Sequence, residues 1–283
     1  MAFNVQHQPK QAAALLQGQG KVSIYAATGG AVVADFAAHN LSLLPPFPPK
    51  SIIHDNACGA GTVSRLILSS KPPPSNPKIH ATDTDQTFLD ALQSDVLNNA
   101  WPIQVSNQRS EALSFPANYF THSITNIAIF FTTSAGLDGA KEIHRTLQPG
   151  GTAMVNCWEA LAWLAPFKLT HKVLRPEKPY PTPPVLWNDG TQIQKVMLEA
   201  GFAKDKMRVE KSEAWARTRD LRTWAELSWA FLGGLGGWTE TDEARWDEAV
   251  DLMVKYMLEQ PETETVDGEV RMKASQWIVI ATK

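Results

Sequence analysis

The sequence predicts an α/β protein whose mostly parallel sheet is covered by helices on both faces. Three observations lead there. Short apolar runs alternate with helix-periodic segments over residues 22–160, the rhythm of strand–helix–strand crossovers. Prolines cluster at 45–49, 72–77 and 176–184, and since proline fixes φ and lacks an amide donor, these runs mark loops. The 283 residues are 43% hydrophobic and 19% charged, enough apolar surface for a core and incompatible with a disordered or fibrous chain.

The elements follow in order. Residues 22–44, rich in alanine, predict a helix broken around Thr28-Gly29-Gly30. Strands are expected at 51–55, 78–82, 103–106, 122–129 and 152–158, with helices at 62–69, 87–98 and 137–147 between them. The last of these helices is stopped by Gln148-Pro149-Gly150-Gly151, a turn signature with no chemistry assigned. Farther on the spacing predicts a helix over 191–200 and strands at 207–213 and 276–282. Between those last strands, 221–232 and 239–259 read as helices, the second opening on Thr239-Glu240-Thr241-Asp242, acidic as suits a helix N-terminus. Ten tryptophans, all but one at or beyond Trp158, make this late region an aromatic helical lid over something apolar. The expected organisation is one domain over 1–283, with a core at 22–160 and lid segments at 161–190 and 214–262.

Composition excludes several functions. Lys and Arg total 26 against 29 Asp and Glu, a formal charge of −3, without the cationic excess that phosphate contacts demand, so nucleic acid is not an expected partner. No apolar run approaches the roughly 18–20 residues of a membrane span, and residues 1–11 lack a hydrophobic signal core, so the expected location is the cytoplasm. Cys58 and Cys157 are too few for a disulfide framework and lack metal-ligand spacing, so no metal is expected.

The informative stretch is Asp55-Asn56-Ala57-Cys58-Gly59-Ala60-Gly61, a strand running into a glycine turn and then a helix. That device brings backbone close to a nucleotide-like ligand. A pyrophosphate turn exploits amide donors, and a carboxylate entering it would repel the ligand. Here Asp55 enters, and the usual third glycine position holds Ser64. An acid there suits a ligand with a cationic part, or else Asp55 caps the following turn. Asp83 ends the next strand at about the ~20-residue spacing of a ribose-binding acid, and Asp85 is the better helix cap.

These segments, with Ser110-Glu111-Ala112-Leu113-Ser114-Phe115-Pro116 and 141–151, resemble successive motifs of the class I S-adenosylmethionine-dependent methyltransferases across about residues 22–160. Among them the look is of small-molecule methyltransferases of fungal secondary metabolism, including the gliotoxin thiomethyltransferase type. The resemblance implies a Rossmann-like, seven-stranded sheet with an antiparallel last strand, and S-adenosyl-L-methionine as cofactor. Asp55, Ala57 and Gly59 would then border its methionine part, Asp83 the ribose hydroxyls, Thr84 the adenine, Ser110 and Glu111 the adenine edge, and Asn126 the sulfonium. Tyr25 and Thr28 resemble residues that close over the methionine end. The sequence departs from the family in two places: Ala57 replaces the first glycine, and Arg109 stands where an acid normally meets the adenine amino group.

The expected activity is methyl transfer to an O, S or N atom of an apolar small molecule. A cyclase that keeps the cofactor unused, or a non-catalytic cofactor-binding regulator, fits the same motifs. Trp158 and Trp163 are candidate acceptor-binding residues, with core packing as their other reading. His7 and His171 are candidate bases, while His54, His80 and His144 lie in predicted core elements.

Overall fold

A computed structural model describes residues 6–283. In chain order its principal elements are α1 (Lys10–Leu16), α2 (Gly20–Ala27), α3 (Gly29–Ser42), β1 (Ile52–Asn56), α4 (Thr62–Ser69), β2 (Lys78–Asp83), α5 (Gln86–Asn99), β3 (Ile103–Asn107) and β4 (Phe120–Thr125). There follow α6 (Leu137–Thr146), β5 (Leu147–Leu161), α7 (Leu164–Leu174), α8 (Thr191–Glu199), β6 (Met207–Thr218), α9 (Leu221–Leu232), α10 (Trp246–Leu258), β7 (Thr263–Val266) and β8 (Glu269–Thr282). They fall into two compact units. A sheet unit comprises 33–159, 184–212 and 276–283, and a helical unit comprises the described residues up to 32 with 160–183 and 213–275.

The sheet unit carries the strand order β3-β2-β1-β4-β5-β8-β6. The β1–β2, β1–β4, β2–β3 and β4–β5 pairs are parallel. Alternation along each strand feeds two cores, as a sheet buried on both faces requires. Ile53, Ile79, Ile124 and Ile278 point into one with Val63, Ile67, Leu89 and Leu92. Phe120, Val155 and Val279 point into the other with Ile143, Ile193 and Met197. α5 starts where Asp85 accepts from the Thr87 N–H at 3.1 Å, a side-chain cap.

Three histidines are buried in the sheet, His54 and His80 on the second core's face and His122 on the first's. His54 stacks on Phe120 at 4.6 Å between ring centroids and is hydrogen-bonded to Thr82 Oγ1 at 2.9 Å. His80 meets Phe115, and His122 meets Phe47 edge-on. Burial lowers His54 to a pKa of about 3, and His80 and His122 to about 4.

In the helical unit α10 packs on α7 and α9, and α1 and α2 pack on α9. Its core is aromatic: Trp163 meets Trp224, Phe167 stacks on Trp229, and Trp229 meets Trp238. Inside it lies the Arg175–Asp242 ion pair at 3.1 Å, both side chains almost fully buried. The guanidinium sits over the rings of Trp229 and Trp238, 5.2 and 5.1 Å from their centroids, a cation–π arrangement. Arg175 Nη1 also donates to the Gly233 carbonyl at 2.8 Å.

Several expectations change. Among the described residues eight strands are present where seven were expected: β7 forms a hairpin with the start of β8 through Asp267 and Gly268, both at positive φ. Asp-Gly is the residue pair a two-residue hairpin turn favours. The helix expected over 239–259 begins only at Trp246, because Asp242 accepts from Thr239 N and Oγ1 and from Arg175 instead of propagating the helix. The break near residue 28 lies between α2 and α3, at Thr28. α1 and α7 had not been anticipated.

The buried rings set an acid limit on stability. The unfolded chain protonates them below about 6.5, whereas the folded chain keeps His54 neutral to about 3, so stability is lost progressively as pH falls from 6.5 towards 3. At pH 5 His54 alone costs about 2 kcal/mol, while Asp55, raised to about 6, offsets about 1 kcal/mol by holding its proton in the folded state. A urea titration should give a midpoint clearly lower at pH 5 than at pH 7; equal midpoints would mean that the rings protonate without unfolding.

Candidate functional site

The candidate site is built at the carboxyl ends of β1 and β2, in the sheet unit, where open α/β sheets bind ligands. β1 delivers Asp55 and Asn56, and the chain then turns through Ala57, Gly59 and Gly61 at φ 54°, 53° and 83°. A Cβ at Gly61 would lie 2.5 Å from the Leu92 side chain, so this glycine lets α5 pack against the turn. A Cβ at Gly59 would meet nothing within 4 Å, so the turn is open on that side and backbone is what a ligand would touch. Ala57 adopts the same left-handed region with a Cβ, at a cost of about 1 kcal/mol.

Asp83 organises this turn. Its Oδ2 accepts from Gly59 N at 2.8 Å, and its Oδ1 accepts from Thr84 N at 2.7 Å and Asp85 N at 2.9 Å. A carboxylate has about four lone-pair directions, so one remains for a ligand hydroxyl. Thr84 is exposed, and its carbonyl accepts from Asn107 Nδ2. Cys58 N donates to the Thr82 carbonyl at 2.9 Å and Gly61 N to the Cys58 carbonyl at 2.8 Å. The amides of Cys58, Gly59 and Gly61 are therefore committed within the protein and are not offered to an anionic ligand.

Asp55 is buried, and its Oδ2 accepts from both Ser64 N (2.9 Å) and Ser64 Oγ (2.6 Å). Ser64, the departure from the usual third glycine, is thus the residue that anchors the acid to α4. Burial raises Asp55 to about 6 against the lowering effect of the Ser64 hydrogen bonds, and the negative charge of Asp83 adds to the rise. The Cys58 thiol, also buried, is pushed well above its ordinary range and is no nucleophile.

Gln108 N donates to the Asp83 carbonyl at 3.0 Å, bringing the 107–111 loop beside the end of β2. Ser110 is buried there, and Glu111 pairs with Arg109, whose Nε donates to it at 3.0 Å. The arginine that stands in the family's acid position is thereby neutralised by its own neighbour.

Asn126 follows β4. Its Nδ2 donates to the Val33 carbonyl at 3.1 Å, and its Oδ1 accepts from Asn156 at 2.9 Å and Asn40 at 3.4 Å. Asn40, Asn156 and Gln276 are fully buried and hydrogen-bonded to one another, a network absent from the sequence expectations. Its signal was there in Val155-Asn156-Cys157, an amide inside an apolar run. Asn56 was missed as well; its buried Oδ1 has no partner while its Nδ2 donates to Thr125 Oγ1. Trp158, half-buried, packs on Phe36 at 5.6 Å in the same unit.

The remaining candidates belong to the helical unit. Thr28 is buried and spends its hydroxyl on the Ile24 carbonyl at 2.7 Å, and Tyr25 lies 6.0 Å from Phe231. Trp163 packs in the aromatic core, the structural reading of that residue. His171 is buried, with Nε2 on the Lys178 carbonyl at 2.7 Å and Nδ1 on Arg175 Nη1 at 3.1 Å. With both ring nitrogens engaged it cannot serve as a general base in this arrangement. His7 is exposed and lines a shallow crevice of about 430 Å³ with Lys178, Trp238, Thr239, Glu240 and Thr241. Among the described residues no cluster of His, Cys, Asp and Glu could hold a metal ion.

Two substitutions test the turn. Asp83→Ala should weaken ligand binding and also cost about 2 kcal/mol of stability, since charged hydrogen bonds to main-chain amides are lost; an unchanged thermal midpoint would show those contacts to be idle. Ala57→Gly should raise the melting temperature by about 1 °C, the release of left-handed strain less the entropy of glycine. A fall would mean that the alanine methyl packs usefully.

A methyltransferase-domain profile matches residues 53–151. The chain is 26% identical over 166 residues to Methyltransferase tpcH of Aspergillus fumigatus, 53% of this chain and 57% of that one. It is 26% identical over 134 residues to the acetylaranotin bis-thiomethyltransferase of Aspergillus terreus, 46% of this chain and 44% of that one. It thus spans about half the length of these curated relatives. Its fold resembles phosphoethanolamine N-methyltransferase 2 of Haemonchus contortus, solved with phosphomonomethylethanolamine and S-adenosylhomocysteine. That likeness has a TM-score of 0.54 at 14% identity and covers 88% of this chain and 52% of that one. The motif order, the sheet and the domain match over residues 53–151 together liken this chain to the class I S-adenosylmethionine-dependent methyltransferases.

Proposed function

We propose that the chain binds S-adenosyl-L-methionine at the 55–61 turn and transfers its methyl group to an O, S or N atom of an apolar small molecule. One observation carries the choice of ligand: Asp55 and Asp83 flank the turn, while the amides of Cys58, Gly59 and Gly61 are spent internally. Such a site favours a cationic adenosyl compound over a pyrophosphate. The open side of Gly59 supports close backbone approach, and the free lone pair of Asp83 supports a hydrogen bond from a ribose hydroxyl. Bound there, the cofactor supplies an electrophilic methyl on a sulfonium, displaced in line by the acceptor atom. The chain's task is to orient the two and exclude water, which can provide most of the acceleration. Trp158, at the end of the sheet segment of β5, is the acceptor-side residue we assign. The site needs no base for an acceptor that attacks unprotonated. The named thiomethyltransferase relative supports sulfur as one acceptor class.

Incubation with methyl-labelled S-adenosylmethionine and a panel of phenols, thiols and amines tests the reading. A product heavier by one methylene unit is expected, whereas an isomeric product would point to cyclisation. Cofactor affinity should also fall as pH drops below about 6, where Asp55 takes up a proton and no longer attracts a cation. The loss is about tenfold at pH 5, and Asp55→Asn should abolish the dependence. A pH-independent dissociation constant in the parent chain would remove Asp55 from the cationic end.

A further inference from the structure

The turn after β4 is strained. Ile127 has φ +55°, a conformation that a β-branched residue avoids. The same connection returns to positive φ at Ser134, Ala135 and Gly136 before α6 begins. Something must hold Ile127 there. Its N–H donates to Asn156 Oδ1 at 2.8 Å, a buried hydrogen bond between the turn and β5. The orientation of the Asn156 amide is itself dictated. With Oδ1 taken by the Ile127 N–H, Nδ2 faces Asn126 Oδ1 and Gln276 Oε1. Asn126 is oriented in turn because its Nδ2 donates to the Val33 carbonyl. Gln276 continues the chain to Asn40 Oδ1 at 2.9 Å and Ser212 Oγ at 2.7 Å. Two main-chain groups, one donor and one acceptor, therefore fix the direction of every amide between them.

We propose that Asn156 is a positioning residue: its buried side-chain amide holds the strained Asn126–Ile127 turn in the one shape that a bound cofactor meets. The inference rests on the proposed cofactor site for its ligand, but the strain and its restraint belong to the chain alone. The Ile127 N–H is spent on this one buried amide oxygen. An aliphatic residue at 156 would leave that donor buried and unpaired, with Asn40 Nδ2 the remaining donor to the Asn126 and Gln276 oxygens.

The test is a double-mutant cycle with Ile127→Gly, which removes the cost of positive φ, combined with Asn156→Ala. The milder Asn156→Ser is the substitute should the alanine variant not fold. Calorimetric affinity for S-adenosylhomocysteine should fall at least about tenfold in the Asn156 variant. In the Ile127→Gly background the same change should cost less than about threefold. Val196→Ala, a core substitution in α8, controls for destabilisation and should leave the affinity unchanged. Independent, multiplicative losses, or an equal loss in the control, would overturn the proposal. If the parent chain fails to take up S-adenosylhomocysteine, the functional reading falls, and the inference is then decided by the same cycle in thermal unfolding. Coupling there retains the restraint of Ile127, and additivity removes it.

Discussion

The candidate site depends on one carboxylate. Asp83 gathers three main-chain N–H groups from the Gly59 turn and from the start of the segment leading into α5, so β1, β2 and the turn between β1 and α4 move as a unit. Each of those donors would otherwise face solvent or a ligand, and an ionised acceptor is the strongest partner available to them. The bond that rigidifies the turn also takes the Gly59 amide out of reach of an anionic ligand. What is left on offer is backbone without a side chain at Gly59, negative charge on either side, and a residual acceptor lone pair. Ligand preference follows from how the turn is braced.

The two units solve the problem of buried polarity differently. In the sheet unit the buried amides of Asn40, Asn156 and Gln276 stay neutral and satisfy one another, avoiding the desolvation cost of a charge. In the helical unit a full ion pair, Arg175–Asp242, is buried among tryptophans and supplemented by the Gly233 carbonyl and the His171 ring. A buried pair adds little net stability over an apolar substitute, but breaking it leaves a stranded charge. Its consequence here is local and geometric: Asp242, held by Arg175 and Thr239, keeps 239–245 out of helix and sets where α10 begins.

Neutral buried histidines belong to the same account. His54 lies flat on Phe120 and bonds to Thr82, so it contributes as an aromatic ring whose cation the core rejects. Asp55 behaves as its counterpart, an acid whose burial is only partly relieved by Ser64. Both are polar residues at the sheet's centre, and each is tolerated because a hydroxyl on a neighbouring element completes its hydrogen bonding.

Much of this was legible in residues 22–160, where local rules suffice: apolar alternation marks strands, proline and glycine mark their ends, and the order of Asp55, Gly59 and Asp83 announces the site. The β7–β8 hairpin was equally local, its Asp267-Gly268 turn a recognisable pair. Other features had no local signal. That Asp83 binds amides on two segments, that Ser64 holds Asp55, and that Trp163 and His171 are packed into an aromatic core each depends on partners many residues away. The sequence by itself determined the strand–helix alternation, the glycine turn and its flanking acids, because propensity and periodicity act over a few neighbours. Only the tertiary structure decided which hydrogen-bonding groups are spent and which remain for a ligand, because every buried donor and acceptor must be matched in space.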